Sequence, residues 1–360
     1  MKGLVLYPDG HYKLEEVDEP KIDDNPYAPD DVLLEVEYTG VCGSDVHMWG
    51  EEEEKEDLFS PDSPVVGGHE VSAVVKETGK NVDRFEPGDR VVGEIVAHYC
   101  DNCINCKQGK INICANMSPM SQRIHYTTGG GFARYAIWPA ESLHKLPESI
   151  SSREGVLIEP TAGSVHTIIE RIGFEGGESV AILGPGARGQ ILLQICKALG
   201  ASPTIVTGIG RDETARLPMA KKFGADRVLN VEKDSLRDVA SELTSGIGMD
   251  VVIENTGAVE AVNQAIDIAR PGGKVLVAGG GIRGGVTVPI DTRKIIVKEL
   301  DIIGEISHIW TSWRKAIKFV DEGKVNLKPL VQDVYPLSDW EKAFDEAAES
   351  DEVFRVAIEP

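Results

Sequence analysis

The sequence lacks a long apolar run and is poor in basic residues. None of its 360 residues lies in an apolar stretch of the roughly 20 residues that a bilayer-spanning helix needs, and the amino terminus has no signal-peptide pattern. We therefore expect a soluble cytoplasmic protein without a membrane partner. The 37 Lys and Arg are outnumbered by 59 Asp and Glu, giving a formal charge of −22. This charge disfavours nucleic-acid binding, and it predicts that the acidic run Glu51–Asp57 is a solvated loop.

Cysteine is also scarce, because the chain has only six, and four of them lie in one short segment. Cys100, Cys103, Cys106 and Cys114 have the spacing C-x2-C-x2-C-x7-C, which lets a loop wrap four thiolates around one zinc ion. A disulfide is rare in a reducing cytoplasm, and an iron–sulfur cluster usually has other spacings, so both alternatives are less favoured than zinc. A site closed by four thiolates has no position for substrate, which predicts a structural zinc.

The length of the chain predicts two domains. Residues 1–160 carry short Val- and Ile-rich segments interrupted by Pro, Gly and Asp, a pattern typical of a β-rich domain. Residues 161–306 alternate buried strands with amphipathic helices, one of them predicted over 211–223, which predicts an α/β fold with a parallel sheet covered on both faces. Residues 307–360 carry two further helical patterns and a last strand that can return to the first domain.

A dinucleotide-binding motif follows the first strand of the second region. Gly184, Gly186 and Gly189 form G-x-G-x-x-G, in which the glycines allow a tight turn, approach of a pyrophosphate and close helix packing, respectively. Arg188 lies within the motif and either contacts the pyrophosphate or points to solvent. The run of three glycines that begins at Gly279 is expected to let the nicotinamide half lie close to the backbone.

The cofactor preference depends on the residue at the end of the second strand of this region. An acidic residue there would bind the ribose 2′-hydroxyl of NAD, but the position is Gly208, and Arg211 follows three residues later. A missing carboxylate and a nearby cation favour NADP over NAD. The alternative is that Arg211 only begins the next helix and that Asp212 caps it.

A second candidate metal site combines three kinds of ligand. Cys42 stands apart from the other cysteines, and His69 and Glu70 are adjacent. Mixed sulfur, nitrogen and oxygen ligands from separate segments hold catalytic zinc while leaving a position open. Taken alone, Cys42 reads as a small buried residue and the His-Glu pair as a surface hydrogen bond. Cys196 lies at an apolar helix position that predicts the core, and the other histidines show no ligand spacing.

Together these motifs resemble a known family. Cys42-Gly-Ser-Asp-Val-His47, Gly68-His69-Glu70, the four-cysteine loop, Glu159-Pro160 and the glycine motif occur in the order found in the zinc-dependent medium-chain dehydrogenase/reductase family. Over nearly its whole length the chain resembles the branch that contains sorbitol, threonine and archaeal glucose dehydrogenases. The resemblance implies a GroES-like catalytic domain from residues 1–160, completed by 307–360. It also implies a Rossmann domain at 161–306, an active site in the cleft, and a homodimer or homotetramer.

The resemblance also implies roles for residues of the active site. Cys42, His69 and Glu70 would bind or flank the catalytic zinc, and Glu159 would occupy the position of the remaining, sometimes water-mediated, ligand. Glutamate at this fourth position points to the polyol, threonine and sugar branch, because alcohol dehydrogenases of the classical type have cysteine there.

Proton transfer is the remaining implied role. Zinc lowers the pKa of a substrate hydroxyl, and a hydride can then leave for nicotinamide. Ser44 matches the family's relay hydroxyl, and His47 is the next group on the path to water. Without the resemblance, Ser44 would be interpreted as a turn residue and His47 as a structural histidine.

The predicted function is therefore an oxidoreductase with two zinc ions per chain. It oxidises a secondary alcohol, polyol or sugar hydroxyl with NADP, or with NAD. A threonine-type 3-hydroxy amino acid dehydrogenase and a dehydrogenase acting at C1 of a sugar remain alternatives. A non-catalytic zinc- and nucleotide-binding protein would lack one of the catalytic ligands, and a zinc-free quinone or enone reductase would lack both metal sites.

Overall fold

The computed structural model describes residues 1–22, 29–49, 64–96, 99–116, 129–279 and 287–360. The acidic run Glu51–Asp57 and the last two glycines of the run that begins at Gly279 lie outside these residues. Two compact units form. One comprises Met1–Ala162, Ser307–Asp321 and Leu327–Pro360, and the other comprises Gly163–Ile306 and Glu322–Asn326. In the described part of the chain, no helix is both long enough and apolar enough to cross a bilayer.

The regular elements are numbered in chain order. The strands are β1 (Lys2–Leu6), β2 (Tyr12–Glu16), β3 (Asp31–Gly40), β4 (Val65–Val66), β5 (Glu70–Thr78), β6 (Arg90–Gly93), β7 (Tyr135–Pro139), β8 (Leu143–Lys145), β9 (Val180–Leu183), β10 (Thr204–Gly208), β11 (Arg227–Asn230), β12 (Met249–Glu254), β13 (Ala269–Val277), β14 (Asp301–Gly304), β15 (Asp333–Pro336) and β16 (Val356–Glu359). The α-helices are α1 (Gly43–Trp49), α2 (Ile104–Lys107), α3 (Ser152–Gly155), α4 (Ile158–Val165), α5 (Ala187–Ala198), α6 (Arg216–Lys222), α7 (Leu236–Leu243), α8 (Val259–Ile268), α9 (Thr292–Lys298), α10 (Trp310–Asp321) and α11 (Trp340–Glu349). A π-helix spans His166–Arg171, and 3₁₀ helices span Ile111–Ile113, Ala140–Ser142, Gly210–Asp212, Lys328–Leu330 and Leu337–Asp339.

The first unit is built around the long strand β3. It pairs antiparallel with β5, β7 and β16, so the last strand returns to the amino-terminal region as expected. Successive side chains of a strand point to opposite faces. Val32 and Leu34 accordingly pack into one core cluster, while Leu33 between them packs into another. This pairing matters for function because Gly40 of β3 lies opposite Glu70 of β5.

The second unit contains a six-stranded sheet in the order β11-β10-β9-β12-β13-β14, and each neighbouring pair is parallel. This order is that of a doubly wound dinucleotide-binding sheet. All four residues of β9 are at most 1% exposed, as expected for a parallel strand covered on both faces. Cys196 of α5 is also buried, as its apolar position predicts. The α/β fold class is therefore confirmed.

Candidate active site

The structure brings Cys42, His69 and Glu70 together within the first unit. Cys42 directly precedes α1, and Glu70 begins β5. One ligand atom from each of the three side chains can be chosen so that all lie within 4.8 Å of one another. Gly40 leaves room for the carboxylate, because a Cβ at this position would lie 2.2 Å from Glu70 Oε2. The register of β3 on β5 therefore builds the site from segments that are far apart in sequence.

Asp45 contacts two of these residues, Cys42 and His69. Its carboxylate is 1% exposed and accepts hydrogen bonds from the Cys42 backbone N–H at 2.9 Å and the Tyr12 hydroxyl at 3.0 Å. Asp45 Oδ1 also lies 3.8 Å from His69 Nδ1. A carboxylate behind a ligating histidine orients the ring and raises the basicity of the free nitrogen. We therefore assign Asp45 to the support of the cluster.

The thiol of Cys42 lies in an environment that favours its thiolate. Burial raises its pKa, but His69 and the charge of Arg355 outweigh burial, so the pKa falls from 9.0 to about 7. For His69, burial lowers the pKa, while Asp45 and Cys42 raise it more, to about 10. Without a metal, the cluster thus holds a proton on the imidazole that a bound metal would displace.

Glu70 offers oxygens that suit a cation. Its side chain is fully buried, and burial raises its pKa well above 4.5 although Arg355 opposes this, with Arg355 Nη2 lying 3.1 Å from Glu70 Oε1. Among the described residues, neither Glu70 oxygen accepts a hydrogen bond of good geometry. Buried polar atoms are nearly always satisfied, so such an exception calls for a ligand. The sulfur, nitrogen and oxygen donors together fit zinc better than the oxygen-preferring magnesium or calcium.

Glu159 lies on α4, outside the set of three, and contacts a histidine that sequence reasoning missed. Its Oε1 is 3.2 Å from Nε2 of His308, which is 1% exposed. Burial raises the pKa of Glu159, but His308, His69 and Arg355 bring it down to about 2. Glu159 is therefore an anion across the physiological pH range, although its carboxyl is largely removed from water.

Ser44 and His47, the predicted proton relay, both lie on α1 directly after Cys42. Both side chains are half-buried. The helix thus carries a hydroxyl and an imidazole close in sequence to Cys42, a candidate metal ligand, and their relay role stays a prediction.

The four remaining candidate ligands, Cys100, Cys103, Cys106 and Cys114, converge around α2. The Sγ–Sγ distances are 3.5 Å for Cys103–Cys106, and 4.0 Å for Cys100–Cys106 and Cys103–Cys114. A tetrahedral zinc with bonds of 2.3 Å needs sulfurs about 3.8 Å apart, whereas a disulfide needs about 2.05 Å. All six cysteines are free thiols. The spacing fits one metal ion and excludes a disulfide within the loop.

Backbone N–H groups surround these sulfurs. Cys103 Sγ accepts from the N–H groups of Cys106 at 3.5 Å and Ala115 at 3.3 Å, which lowers the pKa of Cys103 to about 6. Cys100 Sγ accepts from Asn102 and Cys103, with the same direction of shift. Burial raises the pKa of Cys106 to about 12, so this thiol needs a metal to lose its proton.

The glycine motif has the geometry that a nucleotide-binding turn requires. Gly184 has φ +109°, which disfavours any side chain, and a Cβ on Gly189 would lie 2.0 Å from the Gly184 carbonyl oxygen. A Cβ on Gly186 would meet nothing within 4 Å among the described residues, so this side of the turn is open. The turn therefore packs through its first and third glycines and presents its second, as the motif predicts.

Arg188 binds protein groups within the second unit. Its guanidinium pairs with Glu305, donates to Asn255 Oδ1 at 3.0 Å and donates to Thr167 Oγ1 at 2.8 Å. Sequence reasoning considered only pyrophosphate or solvent for this residue. A Cβ on Gly279 would lie 2.1 Å from the backbone nitrogen of Gly257, so close packing of two loops by itself requires this glycine.

A carboxylate does lie at the end of β10, and it belongs to Asp212. A Cβ on Gly208 would lie 2.7 Å from Asp212 Oδ2. That carboxylate accepts from the Ile209 N–H at 2.9 Å and from Arg216 at 3.0 Å. These contacts close a 3₁₀ turn. The next helix therefore begins at Arg216, whereas the sequence predicted a start at Arg211. Arg211 is exposed.

The same turn carries a second acid. Glu232 Oε2 accepts from the Gly210 N–H at 2.8 Å, and the Glu232 side chain is exposed. The exposed side chains of Arg211 and Glu232 therefore lie near the strand end that binds the ribose in folds of this class, as does the exposed ion pair of Lys233 and Glu213.

Comparison with known proteins identifies the family. Residues 28–148 match the alcohol dehydrogenase GroES-like domain, and residues 188–322 match the zinc-binding dehydrogenase family. The D-arabitol-phosphate dehydrogenase of Enterococcus avium is 36% identical, covering 100% of this chain and 97% of that protein. The sorbitol dehydrogenase of Halalkalibacterium halodurans is 35% identical, covering 100% and 99%. The crystal structure of galactitol-1-phosphate dehydrogenase from Escherichia coli has a TM-score of 0.84 at 25% identity, covering 100% of both chains. The chain therefore belongs to the zinc-dependent medium-chain dehydrogenase/reductase family, in the branch that contains the sorbitol dehydrogenases, and it is an oxidoreductase.

Proposed function

We propose that this protein uses a catalytic zinc ion to oxidise a hydroxyl group of a polyol or sugar alcohol, with transfer of a hydride to NADP or NAD. One observation carries the proposal: ligand atoms of Cys42, His69 and Glu70 converge within 4.8 Å at the start of β5. The similar proteins are named as dehydrogenases of D-arabitol phosphate, sorbitol and galactitol 1-phosphate. These names support polyols as the substrate class.

The zinc would be held by Cys42 and His69, with Glu159 as a third ligand, either directly or through water. Glu70 would bind or flank the metal, since its Oε1 is paired with Arg355 at 3.1 Å while its Oε2 accepts no hydrogen bond among the described residues. A second zinc ion would be held by the four-cysteine loop. Bound zinc supplies a Lewis acid that lowers the pKa of the substrate hydroxyl, and bound NADP or NAD supplies the hydride acceptor.

The residues of this chain do the rest of the chemistry. The Cys42 thiolate and the Glu159 carboxylate would balance the charge of the metal, and Asp45 would keep His69 oriented. Ser44 would accept the proton that the substrate hydroxyl loses, and His47 would pass it to water. Both groups lie on the helix that begins directly after the metal-binding thiol.

For the cofactor we propose NADP in preference to NAD. Gly208 supplies no carboxylate to repel a 2′-phosphate, Asp212 is neutralised by Arg216 at 3.0 Å, and Arg211 is an exposed cation. Glu232 opposes this preference, because its exposed carboxylate lies at the same turn. Exposed charges contribute about 0.2–1 kcal/mol each, so we expect a preference below about tenfold.

We further propose a cytoplasmic location and a homodimer or homotetramer. Four thiols with Sγ–Sγ distances of 3.5–4.0 Å can bind zinc only while they remain reduced, which favours a reducing compartment. The oligomeric state follows the habit of the family.

A spectrophotometric substrate screen tests the proposed function. The purified protein is supplied with zinc and with NAD or NADP separately, and it is assayed on free polyols, phosphorylated polyols, threonine, aldoses and simple secondary alcohols. We expect formation of NADPH or NADH with at least one polyol. Turnover of threonine alone would favour the 3-hydroxy amino acid alternative, and turnover of an aldose alone would favour oxidation at C1. No turnover with any substrate, from a protein that holds two zinc ions, would favour the non-catalytic alternative.

A further inference from the structure

We propose that His308 is a positioning residue that holds the Glu159 carboxylate for the catalytic zinc, an inference that rests on the proposed function. The Nε2 atom of His308 lies 3.2 Å from Glu159 Oε1. His308 belongs to the segment Ser307–Asp321, which returns to the first unit after the chain has formed the second. The contact therefore joins a helix near the metal cluster to a segment far away in sequence.

The backbone before His308 aims its ring. Ser307 has φ +56°, a left-handed conformation that non-glycine residues rarely adopt and that costs free energy unless the surroundings require it. The Ser307 Oγ atom lies 3.3 Å from His308 Nδ1. The Ser307 hydroxyl is therefore within hydrogen-bonding distance of the Nδ1 side of the ring. The Nε2 atom on the other side of the ring then faces Glu159 Oε1 at 3.2 Å, a close polar contact whose geometry falls outside that of a hydrogen bond.

The ring of His308 is also immobilised by packing. His308 and Trp313 are both 1% exposed, and their ring centroids lie 5.0 Å apart at an angle of 48°. Trp313 belongs to α10, whose first turn is near His308 in sequence. A buried ring with one face on an indole cannot turn away from Glu159 without disturbing the core.

These contacts have a chemical consequence for the metal. His308 contacts Glu159 at Oε1, so it would hold the carboxylate in place while Glu159 binds the zinc directly or through water. Loss of such a supporting partner typically weakens metal binding or activity by about 10- to 100-fold. His308 would thus act through Glu159 and not on the substrate.

His144 provides a matched control. Its ring lies parallel to Trp313, with centroids 5.4 Å apart and an interplanar angle of 5°, and its side chain is also buried. His144 Nε2, however, is hydrogen-bonded to Glu94 Oε1 at 2.7 Å, and Glu94 belongs to neither candidate metal site. The two histidines therefore share burial and a common indole, but only His308 contacts a proposed zinc ligand.

The experiment measures release of zinc from the full-length protein to a colorimetric chelator, alongside zinc content by mass spectrometry. The variants are His308→Leu, His308→Gln, which keeps an N–H donor, and the controls His144→Leu and His144→Gln. The wild type should release two zinc ions in two phases. We expect His308→Leu to accelerate the phase of the Cys42 site by about 10- to 100-fold and to leave the four-cysteine phase unchanged. His308→Gln should stay within about threefold of the wild type, and the His144 variants should release zinc like the wild type.

A double-mutant cycle with Glu159→Gln separates positioning from general loss of structure. If His308 acts through Glu159, His308→Leu should have little further effect on zinc release in the Glu159→Gln background. Wild-type release from His308→Leu, or equal acceleration by His144→Leu, would overturn the inference. Should His308→Leu fail to fold, a more than tenfold faster release from His308→Gln would also overturn it. A wild type with one zinc ion and no polyol oxidation would instead contradict the proposed function.

Discussion

Arg355 Nη2 lies 3.1 Å from Glu70 Oε1, and both side chains are almost completely withdrawn from water. Arg355 also donates from Nη1 to the carbonyl oxygen of Val41 at 2.6 Å. The Arg355 guanidinium therefore connects the Glu70 carboxylate to the backbone of Val41, the residue that precedes Cys42. Removing one member of a buried ion pair leaves a charge without compensation, which is far more costly than an exposed pair is worth.

The first prediction concerns this pair. Arg355→Met should lower the free energy of unfolding by about 3–5 kcal/mol, because Glu70 remains buried without its partner. Arg355→Met combined with Glu70→Gln should recover part of the loss, because no buried carboxylate then needs compensation. Denaturant titration of the wild type and the two variants measures this. Equal stability of the single variant and the wild type would contradict the importance of the pair.

The second prediction concerns the four-cysteine loop. Cys103→Ser should remove one zinc ion per chain and lower the melting temperature. Polyol oxidation should persist at temperatures where the variant stays folded, because a closed zinc site has no position for substrate. Cys196→Ala is the control, since this cysteine is buried in α5 and, among the described residues, belongs to neither candidate metal cluster. It should keep both zinc ions. Complete loss of turnover in folded Cys103→Ser would show that the loop has more than a structural role.

The third prediction concerns cofactor choice. Arg211→Gln should lower the ratio of kcat/KM for NADP to kcat/KM for NAD by about three- to fivefold. Glu232→Gln should raise this ratio by a similar factor, because each change removes one exposed charge. The obvious alternative, Gly208→Asp, is a poor test because its Cβ would lie 2.7 Å from Asp212 Oδ2. A ratio that neither charge change alters would contradict a role for this turn in selecting the 2′-phosphate.

How much could be predicted from the sequence depended on the distance along the chain between interacting residues. The four-cysteine ligands and the glycine motif are local, so their spacing alone indicates their geometry. Cys42, His69 and Glu70 could be connected only through a family resemblance, because the register of β3 on β5 brings Glu70 to its place. His308 carried no signal, since its contact depends on the left-handed turn at Ser307.

The start of α6 was mispredicted for a related reason. A helix beginning at Arg211 is consistent with the apolar pattern, but the Asp212 carboxylate binds the Ile209 N–H and Arg216. These contacts close a separate turn first. Such local competition between a side chain and the helix is not visible in periodicity.

The fourth prediction concerns the pH dependence of stability and the buried pair of Glu94 and His144. Burial raises the pKa of Glu94 from 4.5 to about 9, and the charge of Glu141 adds to this while Arg84 opposes it. Burial lowers the pKa of His144 from 6.5 to about 3, and the charges of Arg84, His308 and Arg314 lower it further. The folded pair thus holds one proton between about pH 3 and pH 9.

The unfolded chain holds no proton on either group above about pH 7. Between pH 7 and pH 9 the folded state therefore binds more protons, and the free energy of unfolding should fall as the pH rises, by at most about 1.4 kcal/mol per pH unit. Glu94→Gln should remove this part of the decline. Denaturant midpoints at several pH values measure it, and identical slopes for both proteins would contradict the assignment.

The most direct test of the account is polyol oxidation by zinc-supplied Cys42→Ala, measured as formation of NADPH or NADH from the best substrate of the wild type. Turnover should fall by about a thousandfold or more, because the variant lacks the thiolate that would hold the catalytic zinc. The variant should keep its fold, its cofactor affinity and the zinc of the four-cysteine loop. Turnover within a few-fold of the wild type would contradict the catalytic role of the Cys42 site.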